Sequence, residues 1–389
     1  MDSLTQITLG AAVGEATAGR DAGAKAPLWG AALGTLPDLD VLANPFLTEA
    51  QSLAFHRGSS HSLFLTALLI PLIAAALTRL HPDATSRRRW MVLVGSVLLT
   101  HIGLDCLTSY GTQIFWPFSR TPVIIGSVFI IDPLYTLPLA AGLLLSFLWS
   151  PSARARRVAN YTGLALSSVY LGLTLLNKAH VERTFATALE RQGHPTERVF
   201  TKPTPFNNLL WTGISEGEDG FYVGFYSLLD DDSAIAFRYV PKRHHLLGDA
   251  ADDPAVERLR WFSRGYFVVR RSPDGTLTVQ DLRFGRNDLG LTRDGQYMFT
   301  FELKRDEEGI VTNFAQRRPE TPLDWALLRR FVDRIRGRSV REPAASGFDA
   351  SPDRNELVKG SPAPVVSVDS LSALGELGPV SVLRIYSSL

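Results

Sequence analysis

Histidine and aspartate recur in this chain at spacings that suit a divalent cation. His101 and Asp105 stand four residues apart at the far end of an apolar run, Trp90 to Leu107. Residues i and i+4 share one helix face, so the two side chains can hold one ion between them. Upstream, His56-Arg57-Gly58-Ser59-Ser60-His61-Ser62 supplies two more imidazoles, the second opening another apolar run. In Gly34-Thr35-Leu36-Pro37-Asp38-Leu39-Asp40 the proline stops a helix and two carboxylates follow with period two. On extended backbone both would face one side. Ionisable groups this close to lipid are costly unless they are put to use. Cys106 is the only cysteine, which excludes an internal disulfide and a CxxC zinc site, so any metal ligands are His, Asp or Glu.

Each motif has a plainer reading. His101 and Asp105 can be a helix-end histidine bonded to a neighbouring carboxylate. In the His56–Ser62 segment, Ser59 or Ser60 is expected to cap the following helix, and Arg57 beside that helix start suits a substrate phosphate or carboxylate. Asp-Leu-Asp is also an everyday capping turn. Asp132 before Pro133 reads first as an N-cap and second as a candidate general base. Glu15 is either a support to a ligand from behind or an interfacial charge. His81, His180, His194, His244 and His245 lack acidic companions at ligand-like spacing, and no GxSxG elbow is present.

The elements that must position these residues are membrane helices. Of 389 residues, 45% are hydrophobic, an average over two unlike halves. Ser62–Leu80 offers about 19 residues with Arg79 as the only charge, enough at ~1.5 Å per residue to cross about 30 Å of hydrocarbon. Similar runs at Trp90–Leu107, Pro133–Trp149 and Val158–Leu176 bring the expectation to about four transmembrane helices. The Gly- and Ala-rich stretches Leu4–Ala18 and Pro27–Ala43 suit interfacial helices packed on that bundle. No basic n-region or small-residue cleavage site marks a removable signal peptide. Arg87, Arg88 and Arg89 and then Arg154, Arg156 and Arg157 place their connectors in the cytoplasm. That topology gathers His61, His101, Asp105 and Asp132 at the opposite face, together with the C-terminal region.

Beyond Leu176 the sequence turns polar and aromatic. Alternation in Gly220–Tyr226 and Ala234–Tyr239, with Gly265–Arg271, Leu277–Leu282 and Tyr297–Leu303, predicts an antiparallel β or α+β domain outside the membrane. Ser272-Pro273-Asp274-Gly275 is its clearest turn. Asp324–Arg338 reads as a short amphipathic basic helix. The expected organisation is residues 1–180 as a membrane-embedded helical domain carrying the metal site, 181–340 as an extracytoplasmic β-rich domain, and 341–389 as a poorly ordered tail. A net charge of +1 with scattered basic residues gives no field for nucleic acid.

Several spaced motifs then fall in order: Met1-Asp2-Ser3-Leu4-Thr5-Gln6, Leu9-Gly10-Ala11-Ala12-Val13-Gly14-Glu15-Ala16, Gly34 through Asp40, His56-Arg57-Gly58 with Ser60-His61-Ser62, His101-Ile102-Gly103-Leu104-Asp105 through Thr112, and Ile131-Asp132-Pro133-Leu134-Tyr135. Over roughly the first 180 residues this resembles the YdjM-like family of inner-membrane metal-dependent hydrolases, itself distantly similar to zinc-dependent phospholipase C. The resemblance implies one divalent metal, zinc, with Asp38 or Asp40, His56 or His61, His101 and Asp105 as ligands. It also leads one to expect a histidine near the position that Gln6 occupies. The implied enzyme is a membrane-bound hydrolase acting on an ester or phosphoester, with a lipid as the natural substrate class. Asp38, Asp40 or Asp132 would be its general base, and Arg57 its phosphate contact. The competing expectation is a non-catalytic membrane protein with a structural metal and a partner-binding outer domain; a transporter ranks last.

Overall fold

Two glycine-bearing helices open the chain and set how closely everything after them can pack. Helix α1, Ser3–Ala22, is capped by Asp2, and α2, Lys25–Thr35, returns beside it after Gly23 at φ +57°. A Cβ on Gly10 would lie 2.2 Å from the Gly30 carbonyl oxygen, and one on Gly14 would lie 2.4 Å from that of Ala26. The backbones therefore touch, as small residues at these faces allow. The computed structural model describes residues 1–231, 234–291, 295–319 and 324–338. The tail expected at 341–389 lies outside the described residues.

A 3-10 helix over Pro37–Phe46 follows, then α3, Glu49–Phe55, with a Thr48/Gln51 capping box. After a second short 3-10 turn at Ser59–His61 come α4, Leu63–Leu80, and α5, Arg87–Cys106, which pack as an antiparallel hairpin. Both are long and apolar enough to cross a membrane. Only 17% of the α4 window is buried inside the protein, so its leucines at 68, 69 and 72 need an apolar solvent. In α5, 61% of the window is buried, against α1 and α2 on one side and α4 on the other. Ser62, rather than the expected Ser59 or Ser60, caps α4, with Leu65 N–H donating to its hydroxyl at 3.3 Å.

Two candidate spans stand where four were expected, for definite reasons. Helix α6, Pro133–Ser146, has 14 residues, about 21 Å at ~1.5 Å each. The fourth run lies inside α7, Arg154–Arg191, where Asn160, Tyr161, Ser167 and Tyr170 dilute its apolar character. Helix α7 runs unbroken for 38 residues and serves both halves of the molecule. Near its start the Arg156 guanidinium makes a buried two-point pair with Glu15 of α1, at 2.6 and 2.7 Å. Near its end Val181, Phe185 and Ala188 pack against the first sheet.

The sheet region is two antiparallel meanders. The first is β1 Val199–Pro203, β2 Leu210–Glu216, β3 Gly220–Ser227 and β4 Phe237–Pro241. Helix α8, Pro254–Ser263, leads to the second, β5 Phe267–Arg271, β6 Leu277–Arg286, β7 Tyr297–Arg305 and β8 Val311–Arg317, followed by α9, Trp325–Ile335. Alternation sorts the side chains by layer: Val268 and Leu282 face Ile214, Phe221 and Val240 across the sandwich, whereas Val269, Val279 and Phe301 face α8. This confirms an antiparallel β domain C-terminal to a helical region. It rests on the end of the helices where α4 starts and α5 finishes, through Asn208 Nδ2 donating to Ser127 O at 2.7 Å and Tyr110 packing on Phe262.

Candidate metal centre

The centre is assembled from three short stretches of backbone. The last two turns of α5 carry His101 and Asp105, the 3-10 turn before α4 carries His61, and the 3-10 helix after α2 carries Asp38. One ligand atom from each of these four residues lies within 4.8 Å of all the others. The His61 Nε2 atom is 3.1 Å from Asp105 Oδ2, 3.4 Å from Asp38 Oδ1 and 3.2 Å from His101 Nε2. His101 Nε2 is 3.7 Å from both carboxylates. His61, His101 and Asp105 are fully buried, while the Asp38 side chain is 20% exposed and forms the open side.

The outer contacts decide which atoms face inward as electron-pair donors. His101 Nδ1 lies 2.7 Å from the Gly34 carbonyl, which can only accept, so Nδ1 carries the proton and Nε2 presents a lone pair. The Ser60 hydroxyl donates to Asp40 Oδ2 at 2.8 Å, so its oxygen accepts from His61 Nδ1 at 2.9 Å. His61 Nε2 is then a lone pair as well. With both imidazoles neutral, two ring nitrogens and two carboxylate oxygens converge as electron-pair donors, an arrangement that a cation can bridge. Two nitrogens and two oxygens at this spacing fit a borderline divalent cation such as zinc.

The charges around the cluster favour positive charge at its centre. Burial opposes the charge on Asp38, but the hydrogen bonds of His101 and His61 outweigh it and hold the carboxyl below its usual range. Burial also works against a charged His61, yet Asp105 and Asp38 raise its pKa above the ordinary imidazole value. Asp105 is gripped from behind: the Met1 amino group and Gln6 Nε2, the latter at 3.1 Å, meet Oδ1, and Arg57 Nε stands 3.2 Å from Oδ2.

The alternatives left open by the sequence separate clearly. Asp38 and His61 enter the cluster; Asp40 and His56 pair with each other at 2.9 Å, and Asp40 also takes the Arg57 amide at 2.9 Å. The two aspartates diverge because Pro37–Phe46 is a 3-10 helix, not extended backbone, and i and i+2 then point about 240° apart. Burial opposes ionisation of Asp40, but His56 and its other donors keep its pKa low, as suits a fixed anchor. Arg57 is buried against Asp105, donates to Thr108 Oγ1 at 3.1 Å and stacks over Tyr110. Asp132 is not among the four: it caps α6 through Leu134 N–H at 3.0 Å and accepts from Tyr170 Oη at 2.8 Å, and burial raises its pKa. Gly34, Ser60 and Gln6 were not singled out as site residues by the sequence; Ser60 stands beside a histidine and Gln6 where the resemblance leads one to expect a histidine, while Gly34 carried no signal.

Comparison with known proteins places the same segment. The family described as YdjM inner membrane protein matches residues 1–181. The inner membrane protein YbcI of Escherichia coli is 37% identical over 92 residues, 23% of this chain and 52% of that protein. YfhP of Bacillus subtilis is 30% identical over 140 residues, 34% of this chain and 42% of that protein. The chain thus spans about half the length of the curated relatives it matches. No solved structure matches. The helical region that builds the cluster is thus the part of the chain that is similar to the YdjM inner membrane protein family.

Proposed function

We propose that this protein is a membrane-bound, metal-dependent hydrolase of an ester or phosphoester, with Asp38, His61, His101 and Asp105 holding one divalent cation, zinc. The observation that carries this reading is the convergence of two carboxylates with two imidazoles whose outer contacts turn each neutral ring's lone pair inward. A cation bound there supplies Lewis acidity, which makes water a nucleophile near neutral pH and polarises the scissile bond. Gly34 O and Ser60 Oγ fix the two imidazole tautomers, and Arg57 with Gln6 fixes the rotamer of Asp105. Asp38, on the open side, is the carboxylate placed to take a proton from an incoming group. The hydrolytic part of the reading draws on the family resemblance.

The apolar faces of α6 and α7, with Leu137, Leu144, Val169 and Leu176 exposed, support a multi-pass insertion in the inner membrane. The arginines after α4 and α6 favour the cytoplasm, which puts the cluster and the sheet region on the outer side. A lipid phosphoester is then the substrate within reach. Four protein ligands also suit a closed structural zinc, the second reading; catalysis needs a position for water.

The test is elemental analysis of the purified full chain beside His61→Ala and His101→Ala, followed by a phosphoester and carboxylester panel. About one equivalent of metal in the wild type, lost in both variants together with turnover, is expected. Turnover undiminished in His101→Ala rejects the hydrolase. Metal retained without turnover, at a site closed by four protein ligands in X-ray absorption, selects the structural reading.

A further inference from the structure

The sandwich of the sheet region is packed at one end and hollow at the other. Between the sheets, under α9, lies a cavity of about 810 Å³, within the range of sites that hold small molecules. Its wall is mostly apolar and includes six phenylalanines: Phe129 from the segment before α6, Phe206, Phe225, Phe284, Phe299 and Phe331. Among these rings stands the Lys202 side chain of β1. Lys202 is 4% exposed, and its ammonium has no hydrogen-bond or ion-pair partner among the described residues. The nearest carboxylate charge is already taken, since Asp281 is bonded by Arg283 at 2.7 Å, and the Arg286 guanidinium on the same wall is paired with Asp288 at 2.9 Å. Gly285, at φ +78°, keeps the space beside the ammonium open: a Cβ there would come within 3.6 Å of Nζ. Burial, only partly offset by Asp281, pushes the Lys202 pKa down to about 8, so the group still carries charge near neutral pH.

An uncompensated ammonium at the edge of an apolar cavity is costly unless a guest brings the opposite charge. We propose that this cavity binds an amphipathic anion, a single apolar chain with a carboxylate or phosphate head, the Lys202 ammonium holding the head and the phenylalanine rings covering the chain. The chain requirement comes from the rings, and the head requirement from the lysine. Phe129 and Ile131 belong to the segment that joins α5 to α6, so the cavity wall includes the surface of the helical region itself. None of the lining residues belongs to the metal cluster, so either site can fail while the other stands.

The full chain in phosphatidylcholine nanodiscs, titrated with radiolabelled palmitate against empty discs, tests this. Saturable binding of about one palmitate per chain is expected, with hexadecanol a weaker competitor. Lys202→Met should weaken palmitate at least about ten-fold, the factor one charge-assisted hydrogen bond supplies, and leave hexadecanol competition unchanged. Val223→Trp, which fills the chain channel, should remove both. Competition by lysophosphatidylglycerol as strong as by palmitate assigns the guest to phospholipid; its absence assigns it to free fatty acid. Because Lys202→Met removes an unpaired buried charge, its unfolding midpoint should hold or rise. No saturable binding above empty discs, equal palmitate affinity in Lys202→Met, or a lower midpoint in that variant would overturn the proposal.

Discussion

The helical region and the sheet region bury charge in opposite senses. Around His61 and His101 the surplus is lone pairs; beside Lys202 it is an ammonium. Between them in the same chain stands a third case, Glu15 with Arg156, where a buried anion and a buried cation meet at two points and leave no surplus. The comparison teaches that the sign of the charge left over inside a fold names the sign of what it is built to receive, and that a matched pair names nothing.

The comparison can be broken most severely at the cluster. Asp105→Ala removes a ligand and leaves Arg57 buried without its carboxylate, so metal content should fall to background; a wild-type metal load in that variant, read by elemental analysis, would show that the four atoms do not act as one site. Next in size is the matched pair. Glu15→Ala strands the Arg156 guanidinium and should cost about 3–5 kcal/mol in detergent-solubilised denaturant unfolding. The double variant Glu15→Ala with Arg156→Met should recover most of that, and failure to recover would mean the pair is not the compensated unit described. Smaller again is the outer contact: Ser60→Ala frees the His61 tautomer and should weaken metal affinity by roughly 10–100-fold in a chelator competition. An affinity unchanged in Ser60→Ala would leave the tautomer argument without support.

The finest comparison is in pH, where the two sites should slope in opposite directions. Hydrogen bonds that Asp105 and Asp38 accept from it raise the His61 pKa, so protons compete with the cation and metal affinity should climb as pH rises through that value. Lys202 loses charge as pH rises past about 8, so affinity for a constant-charge anion such as lysophosphatidylglycerol should fall there, by at most about ten-fold per pH unit for one proton. Slopes of the same sign would remove the distinction between the two regions.

Some of this was readable in the sequence because the signal was local. His101 and Asp105 announce themselves at i,i+4, α4 by its unbroken apolar run, and β3 by alternation from Gly220 to Tyr226. What stayed hidden depended on distant partners. The choice between Asp38 and Asp40 turned on a 3-10 helix, and Ser60 left the capping role to Ser62 because Asp40 engages its hydroxyl from 20 residues away. Gly34 contributes a carbonyl, which no side chain advertises. Strands β1, β2 and β8 were missed since Lys202, Thr212 and Asn313 interrupt the apolar pattern. The same lysine that blurs the strand marks the cavity.

Helix α7 gives these two regions a common axle. At ~1.5 Å per residue its 38 residues measure about 57 Å, so its far turns carry the first sheet well away from its start as a mast carries a sail. Since each residue added to a helix advances the heading by about 100°, the length of this one element dictates both the height of the sandwich and the compass direction in which its hollow end points.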